Sequence, residues 1–318
     1  MMDKGIRGPS AWSRRPIAAM IVAPSAAVEK ATAESGRKPY EHARAAFDPR
    51  RRDFKITAFS DGVFETKLEV AVGIDPADLL RQTGKTPDDE IGIAVNAYLV
   101  EGRGIRALVD AGSGASMGPR LGRLPANLQA AGIGLDTITH ILLTHIHPDH
   151  SNGLIDAAGD AYFPKAEVVV QETEIKFWVD RDLSQAAHER QRRNMANARK
   201  SLAPYASRTT RVHDGEFLPG IHAQMSPGHT PGHNTWTIEG GRDSLLIWGD
   251  TIHMAFLQLI DPRVHWAYDF DPAMAIRSRL ELLDQACADK MRVAGMHLEF
   301  PGYGYVGKAA DRWSIDPA

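Results

Sequence analysis

Four separated segments of the chain each follow an apolar run with residue types that bind divalent metals. The first, THIHPDH at Thr144–His150, packs three histidines and one aspartate into seven residues. The others are SPGHTPGH with His229, LLIWGD with Asp250 and VAGMH with His297. In the first, alternate residues His145 and His147 point the same way while the chain is extended. Pro148 then fixes a turn, and Asp149 and His150 begin a helix aimed at a second point nearby. The pattern H-x-H-x-D-H arises by chance in roughly one such chain in a thousand, so the ordered set decides, not any single GH or GD. Seven imidazole and carboxylate donors exceed the three or four that one tetrahedral ion takes. They suit two ions, one mainly nitrogen-bound and one mixed, with a carboxylate bridging them. The only cysteine is Cys287, which excludes a thiolate site; zinc is the first choice of metal, with manganese, iron and cobalt also matching the donors.

A hydroxide held between two divalent ions is available near neutral pH, because coordination lowers the pKa of water from about 15.7 toward about 7. It would attack an electrophilic carbonyl or phosphoryl centre while one metal polarises the oxygen that gains charge. No serine nucleophile competes with this scheme, since GASMG and GHTPG lack a G-x-S-x-G elbow.

The elements that must position these residues follow from hydrophobic periodicity. DFKITAFSDG and VNAYLVEGRG each predict a strand and a turn, and IRALVDAGSG a strand ending in an acid and glycines. LGRLPANLQAAG carries helical spacing and stops at Gly132. ITHILLTH predicts a strand running straight into the histidines, AEVVVQ a strand, ETEIKFWVDRDL a helix, and Gln185 to Ser201 a polar helix. SLLIWGD and MRVAGMH are buried strands, and AIRSRLELLDQACADK is a helix that carries Cys287 as a core thiol. The expected architecture is α+β, two mixed sheets sandwiched between helices.

At 318 residues, 43% hydrophobic and 24% charged, the chain has the balance of a globular protein and enough length for one core of roughly 250 residues. It contains no apolar run of about 18 residues, the length of a membrane-spanning helix. A net charge of -3 provides no basic field for nucleic acid or acidic membranes, which leaves a small-molecule partner. Residues 1–52 read as an extension and 53–318 as the catalytic domain. Behind Arg14 and Arg15, PIAAMIVAPSAAV resembles a twin-arginine export signal interrupted by two prolines, with Ala31–Ala33 as its cleavage site. That reading implies a periplasmic protein. The other, an arm packed on the domain or on a partner subunit, leaves a cytoplasmic location open.

The ordered ligand types resemble the metallo-β-lactamase superfamily. Further stretches, LVDAGSG, THIHPDHSNGL, FPKAEVVVQETEIKFW, GHTPGHNTW, GDTIH and HLEFPGYGYV, are similar to methyl parathion hydrolase and the related bacterial lactonases. The resemblance implies an αββα sandwich, usually a homodimer, with the site at one edge between the sheets. It implies His145, His147 and His229 on one metal, Asp149, His150 and His297 on the other, and Asp250 between them. Asp110 would support the site without binding metal, and His233 falls outside the ligand pattern. Trp178 matches a pocket position, although core packing on a helix face is an equal reading. Tyr268 and His253 stand where the parathion-hydrolysing relatives carry aliphatic residues. Either would hydrogen-bond the substrate or protonate its leaving group, or else make only supporting contacts. The more polar pocket favours a lactone or ester, with phosphotriester hydrolysis as a side activity. Rival readings are an organophosphate hydrolase, a thioester hydrolase of the glyoxalase type, an iron site for oxygen or sulfur chemistry, and a non-catalytic metal-binding protein.

Overall fold

The computed structural model describes residues 54–240, 244–310 and 312–317. The extension at 1–52 and its export-signal reading lie outside the described residues. Seven strands come first: β1 (Lys55–Lys67), β2 (Ala71–Val72), β3 (Glu90–Gly102), β4 (Ile105–Val109), β5 (His140–Leu142), β6 (Glu167–Gln171) and β7 (Thr209–Val212). Six of them form one sheet in the order β1-β3-β4-β5-β6-β7, antiparallel through β4 and parallel from there on. The second half adds β8 (Gly215–Leu218), β9 (Ile221–Met225), β10 (Asn234–Ile238), β11 (Leu245–Ile247), β12 (His265–Trp266), β13 (Arg292–Ala294), β14 (Tyr303–Ala309) and β15 (Arg312–Pro317). Its sheet runs β15-β14-β13-β11-β10-β9-β8, with β11 and β13 parallel and the other pairs antiparallel. Both sheets are mixed, as the α+β sandwich requires.

Alternation along the strands builds the layers. In β6, Val169 points into the cluster between the sheets while Val168 and Val170 point into an outer cluster. In β11, Leu245 and Ile247 face the inter-sheet core, and Leu246 faces the other way. Both faces are buried, so these strands read as continuous apolar runs instead of alternating ones. The helices Leu124–Ala130 and Glu189–Leu202 cover the first sheet through Leu124, Leu128, Met195 and Ala198. The helix Pro272–Ala288 covers the second through Leu282, Leu283 and Ala286. The layers are therefore αββα. Cys287 is half-buried at the end of that last helix rather than a fully buried core thiol.

Two expectations about strand ends need correction. The turn predicted at SDG is a bulge between Ser60 and Gly62, and β1 continues to Lys67. The bulge turns Asp61 inward, where its carboxylate accepts from the backbone N–H groups of Ser113, Gly122 and Leu124. The strand predicted over ITHILLTH ends at Leu142. Two residues on, the Thr144 N–H leaves the ladder for the carboxylate of Asp110. Among the described residues no helix is long and apolar enough to cross a membrane.

Candidate metal centre

After β5 the chain bends at Thr144, His147 is extended with φ and ψ of -78° and 159°, and Pro148 opens the short helix Pro148–Ser151. His145 and His147 are thus carried on the segment between β5 and that helix, and Asp149 and His150 on the helix itself. His229 comes from the loop between β9 and β10, Asp250 from a turn after β11, and His297 from the loop after β13. Gly249 is needed for that turn: its φ is +55°, and a Cβ there would sit 2.6 Å from Nε2 of His233.

These seven residues form two groups that share Asp250. In His145, His147, His229 and Asp250 one ligand atom from each lies within 4.8 Å of all the others, and the same holds for Asp149, His150, Asp250 and His297. Asp250 faces the two groups with different oxygens. Its Oδ2 lies 3.2 Å from His229 Nε2 and 3.5 Å from His145 Nε2. Its Oδ1 lies 3.1 Å from Nε2 of both His150 and His297. Asp149 Oδ2 is 3.4 Å from His150 Nε2 and 3.6 Å from His297 Nε2, and His147 Nδ1 is 2.9 Å from His229 Nε2. Donors at about 2.0–2.1 Å around a tetrahedral ion are about 3.3 Å apart, so these separations fit an ion at the centre of each group.

The ring orientations fit as well. His150 Nδ1 lies 2.7 Å from Asp110 Oδ2, His297 Nδ1 2.7 Å from the Ala94 carbonyl, and His229 Nδ1 2.8 Å from Asp269 Oδ1. A proton on each Nδ1 directs the lone pair on Nε2 inward, which is how metal-binding imidazoles are held. Inside the centre, His145 Nε2, His150 Nε2 and Asp250 Oδ1 are buried without a hydrogen-bond partner. Buried polar atoms seldom stay unmatched, and a cation in each group would satisfy all three.

Electrostatics divide the two groups. Burial, reinforced by the neighbouring imidazoles, holds His145 and His147 well below the ordinary histidine value, so they are neutral donors. Burial opposes charge on His150 and His297 too, but Asp250 and Asp149 outweigh it and raise both. Asp250 is itself driven up by burial and then more strongly down by His150, His297, His253 and His145, ending well below the carboxylate range. A cation held at the second group would displace protons, so its retention is expected to rise with pH.

Asp110 adopts the left-handed conformation at φ 60° and accepts from both N–H and Oγ1 of Thr144 in addition to facing His150. His233 lies outside both groups. Its Nδ1 donates to the Ser226 carbonyl at 3.0 Å, which leaves Nε2 to accept the Asp250 N–H at 2.9 Å. Burial pushes its pKa down to about 3, so the ring stays a neutral acceptor that fixes the Asp250 backbone.

Three supporting residues escape a reading by spacing. Glu174, fully buried, accepts from Ile146 N–H, Thr230 Oγ1 and Gly232 N–H, and so ties the THIHPDH segment to the GHTPGH loop. Asp269 holds His229 with one oxygen and accepts the Trp266 N–H with the other. Buried Arg279 lies 3.9 Å from Asp269 and donates to the carbonyls of Thr251, Pro262 and Val264. We expect Asp269→Asn to weaken metal retention by about 10–100-fold while the fold persists, because the amide cannot orient His229 as the carboxylate does. Metal content after dialysis against graded chelator, with circular dichroism in parallel, checks this; unchanged retention would remove Asp269 from the site.

The centre forms the floor of a cavity of about 440 Å³. Trp178 both lines the cavity, 5.3 Å from the His147 ring, and packs in the core on the outer face of the first sheet. His253 is buried between Trp266 and His297, nearly parallel to both, and its Nε2 lies 2.8 Å from Asp250 Oδ2. Burial pushes its pKa down to about 4, against the pull of Asp250. Tyr268 is 41% exposed and lines the same cavity.

Residues 91–290 match the family model of the metallo-beta-lactamase superfamily. Over 202 residues, covering 62% of this chain and 78% of the relative, the sequence is 31% identical to uncharacterized protein YobT of Bacillus subtilis. It is 26% identical over 152 residues to an N-acyl homoserine lactonase of Bacillus thuringiensis, which covers 48% of this chain and spans about half that relative, 52%. Among solved structures, the hydrolase AbOPH of the beta lactamase superfamily superposes with a TM-score of 0.81 at 27% identity, over 89% of this chain and 98% of that one. AidC, a dizinc quorum-quenching lactonase solved with a product, gives 0.79 at 26% identity, over 89% and 99%. With a four-layer αββα fold, and with two donor groups sharing one aspartate, the chain belongs to the metallo-β-lactamase superfamily of metal-dependent hydrolases.

Proposed function

We propose that the protein is a dinuclear hydrolase of lactones and esters, with zinc as the resident metal and phosphotriesters as a side activity. The observation that carries this reading is the division of Asp250, with Oδ2 toward His145 and His229 and Oδ1 toward His150 and His297. A single aspartate placed in this way suits two ions held side by side. His145, His147 and His229 would hold one, Asp149, His150 and His297 the other, and Asp250 both. When bound, the pair supplies an acidified water and a Lewis acid for the carbonyl oxygen. The solved relative described as a dizinc lactonase with product supports the carbonyl substrate.

The chain's own residues shape the reaction around that centre. His253 holds Asp250 through Nε2, which places the carboxylate and leaves the ring no Nε2 for substrate. Trp178, Trp266 and Phe64 supply apolar parts of the cavity lining, which would help to shield the scissile bond from water. Tyr268 is the hydroxyl that can reach a leaving oxygen. On this reading Tyr268→Phe slows an unactivated lactone about tenfold and leaves an aryl ester of a good leaving group nearly unchanged. Equal effects on both substrates would exclude leaving-group chemistry.

The overall test is a panel of acyl-homoserine lactones, aryl esters and methyl parathion, run on protein of measured metal content. Turnover is expected to follow metal content, with lactones or esters leading. A preference for methyl parathion would make the protein an organophosphate hydrolase instead, and no turnover at full metal loading would leave a metal-binding protein.

A further inference from the structure

The cavity above the metal centre has walls of unlike character. Its floor carries Asp149, Asp250 and Asp269, each in contact with histidines of the centre. One wall comes from the start of the helix Glu189–Leu202, and there Arg190 is the only lysine or arginine among the lining residues. Its guanidinium lies 4.3 Å over the ring of Tyr268. No carboxylate reaches Arg190 among the described residues, although salt bridges occupy many surface arginines of this chain. Asn194 stands one helical turn further on, the spacing that puts two side chains on one face. It is half-buried, lines the same cavity, and its carboxamide bonds to no other described residue.

We propose that Arg190 and Asn194 recognise a carboxylate carried by the substrate at the end remote from the scissile carbonyl. The inference rests on the hydrolase reading above and adds a substrate class to it. Tyr268 covers one face of the guanidinium, which leaves the N–H edge to form the paired hydrogen bonds that a carboxylate accepts. The carboxamide of Asn194 adds a further donor beside it. A neutral acyl chain would leave these donors to water. With the carbonyl on the floor and an anion on the wall, the substrate lies across the cavity in one direction only. Arg190 is a specificity-determining residue in this arrangement and takes no part in bond breaking.

The experiment compares three para-nitrophenyl esters whose acyl chains have equal length and end in methyl, carboxamide or carboxylate. With the metal-loaded protein, the carboxylate ester should show a KM about two- to fivefold below the methyl ester with a similar kcat, since an exposed guanidinium gives a moderate attraction. Added salt should erode that difference. Arg190→Gln should bring the ratio of the two KM values to about one, and Arg190→Glu should reverse it. A carboxamide ester as good as the carboxylate ester would overturn charge recognition, as would a preference that survives Arg190→Gln. Binding of the matching para-nitrophenyl ether with a carboxylate tail, followed by quenching of tryptophan fluorescence, needs no hydrolysis. If no ester is turned over, the hydrolase reading fails alone, and loss of ether binding in Arg190→Gln still decides this one.

Discussion

If the centre is dinuclear as proposed, Asp250→Ala is expected to lower kcat/KM by at least about 100–1000-fold and to release one of the two metals, while the protein stays folded. The size follows from the double role of the carboxylate, since one substitution removes a donor from both groups at once. Changes to residues that merely orient a ligand cost about 10–100-fold, and Asp250 should exceed them. The fold should survive because the Asp250 backbone is held independently, its N–H bonded to His233 Nε2 and its turn set by Gly249. Metal analysis of the purified variant, thermal melting and kinetics on the best ester or lactone together provide the check. Two metals retained with native activity would refute the shared-ligand arrangement. Asp250→Asn separates charge from shape: it keeps the volume but lacks the second anionic oxygen, so it should fall close to the alanine variant.

Glu174→Ala should have the largest effect on stability, about 3 kcal/mol or more. Three buried donors, the Ile146 and Gly232 N–H groups and the Thr230 hydroxyl, lose their acceptor, and each unmatched group costs about 1–3 kcal/mol. For a domain of this size the melting temperature should drop by roughly 6–12 °C, at about 2–4 °C per kcal/mol. Glu174→Gln can keep its oxygen toward Thr230 and Gly232 while its amide N–H faces the Ile146 N–H, so it should be intermediate. Burial raises the Glu174 pKa despite its hydrogen bonds. Its contribution to stability is therefore fullest below the ordinary carboxylate range and falls as pH rises through the native value. The glutamine variant should lack that decline; a variant as stable as the native protein would show that the two loops are held by other contacts.

Much of the centre was legible because its signals are local. THIHPDH places four candidate ligands within seven residues, and Pro148 sets the turn into the helix, although Asp110 and Glu174 hold the Thr144 and Ile146 N–H groups from elsewhere in the chain. His229, Asp250 and His297 could be named from residue type and apolar flanks, and the structure brings them to the same place. The supporting residues carried no such signal. Asp269 lies 40 positions from His229, and Glu174 lies 28 from Ile146 and 58 from Gly232. Glu174 sits in a segment that reads as an ordinary polar helix start. The edge strands β7, β8 and β15 were equally hard to see, because strands at the margin of a sheet keep polar residues and lose apolar alternation.

What the sequence determined by itself was the kind of chemistry: nitrogen and oxygen donors, no thiolate set, a dense histidine motif at a strand end, and two mixed sheets to carry it. Tertiary structure alone decided how those donors are shared and what stands around them. It turned the two oxygens of Asp250 toward different groups, set His253 Nε2 against Asp250, and placed Arg190 on the wall of the cavity. The physical reason is range. Backbone direction and turn chemistry act over a few residues, whereas hydrogen bonds between loops and the walls of a cavity join positions that become neighbours only when the two sheets close on one core.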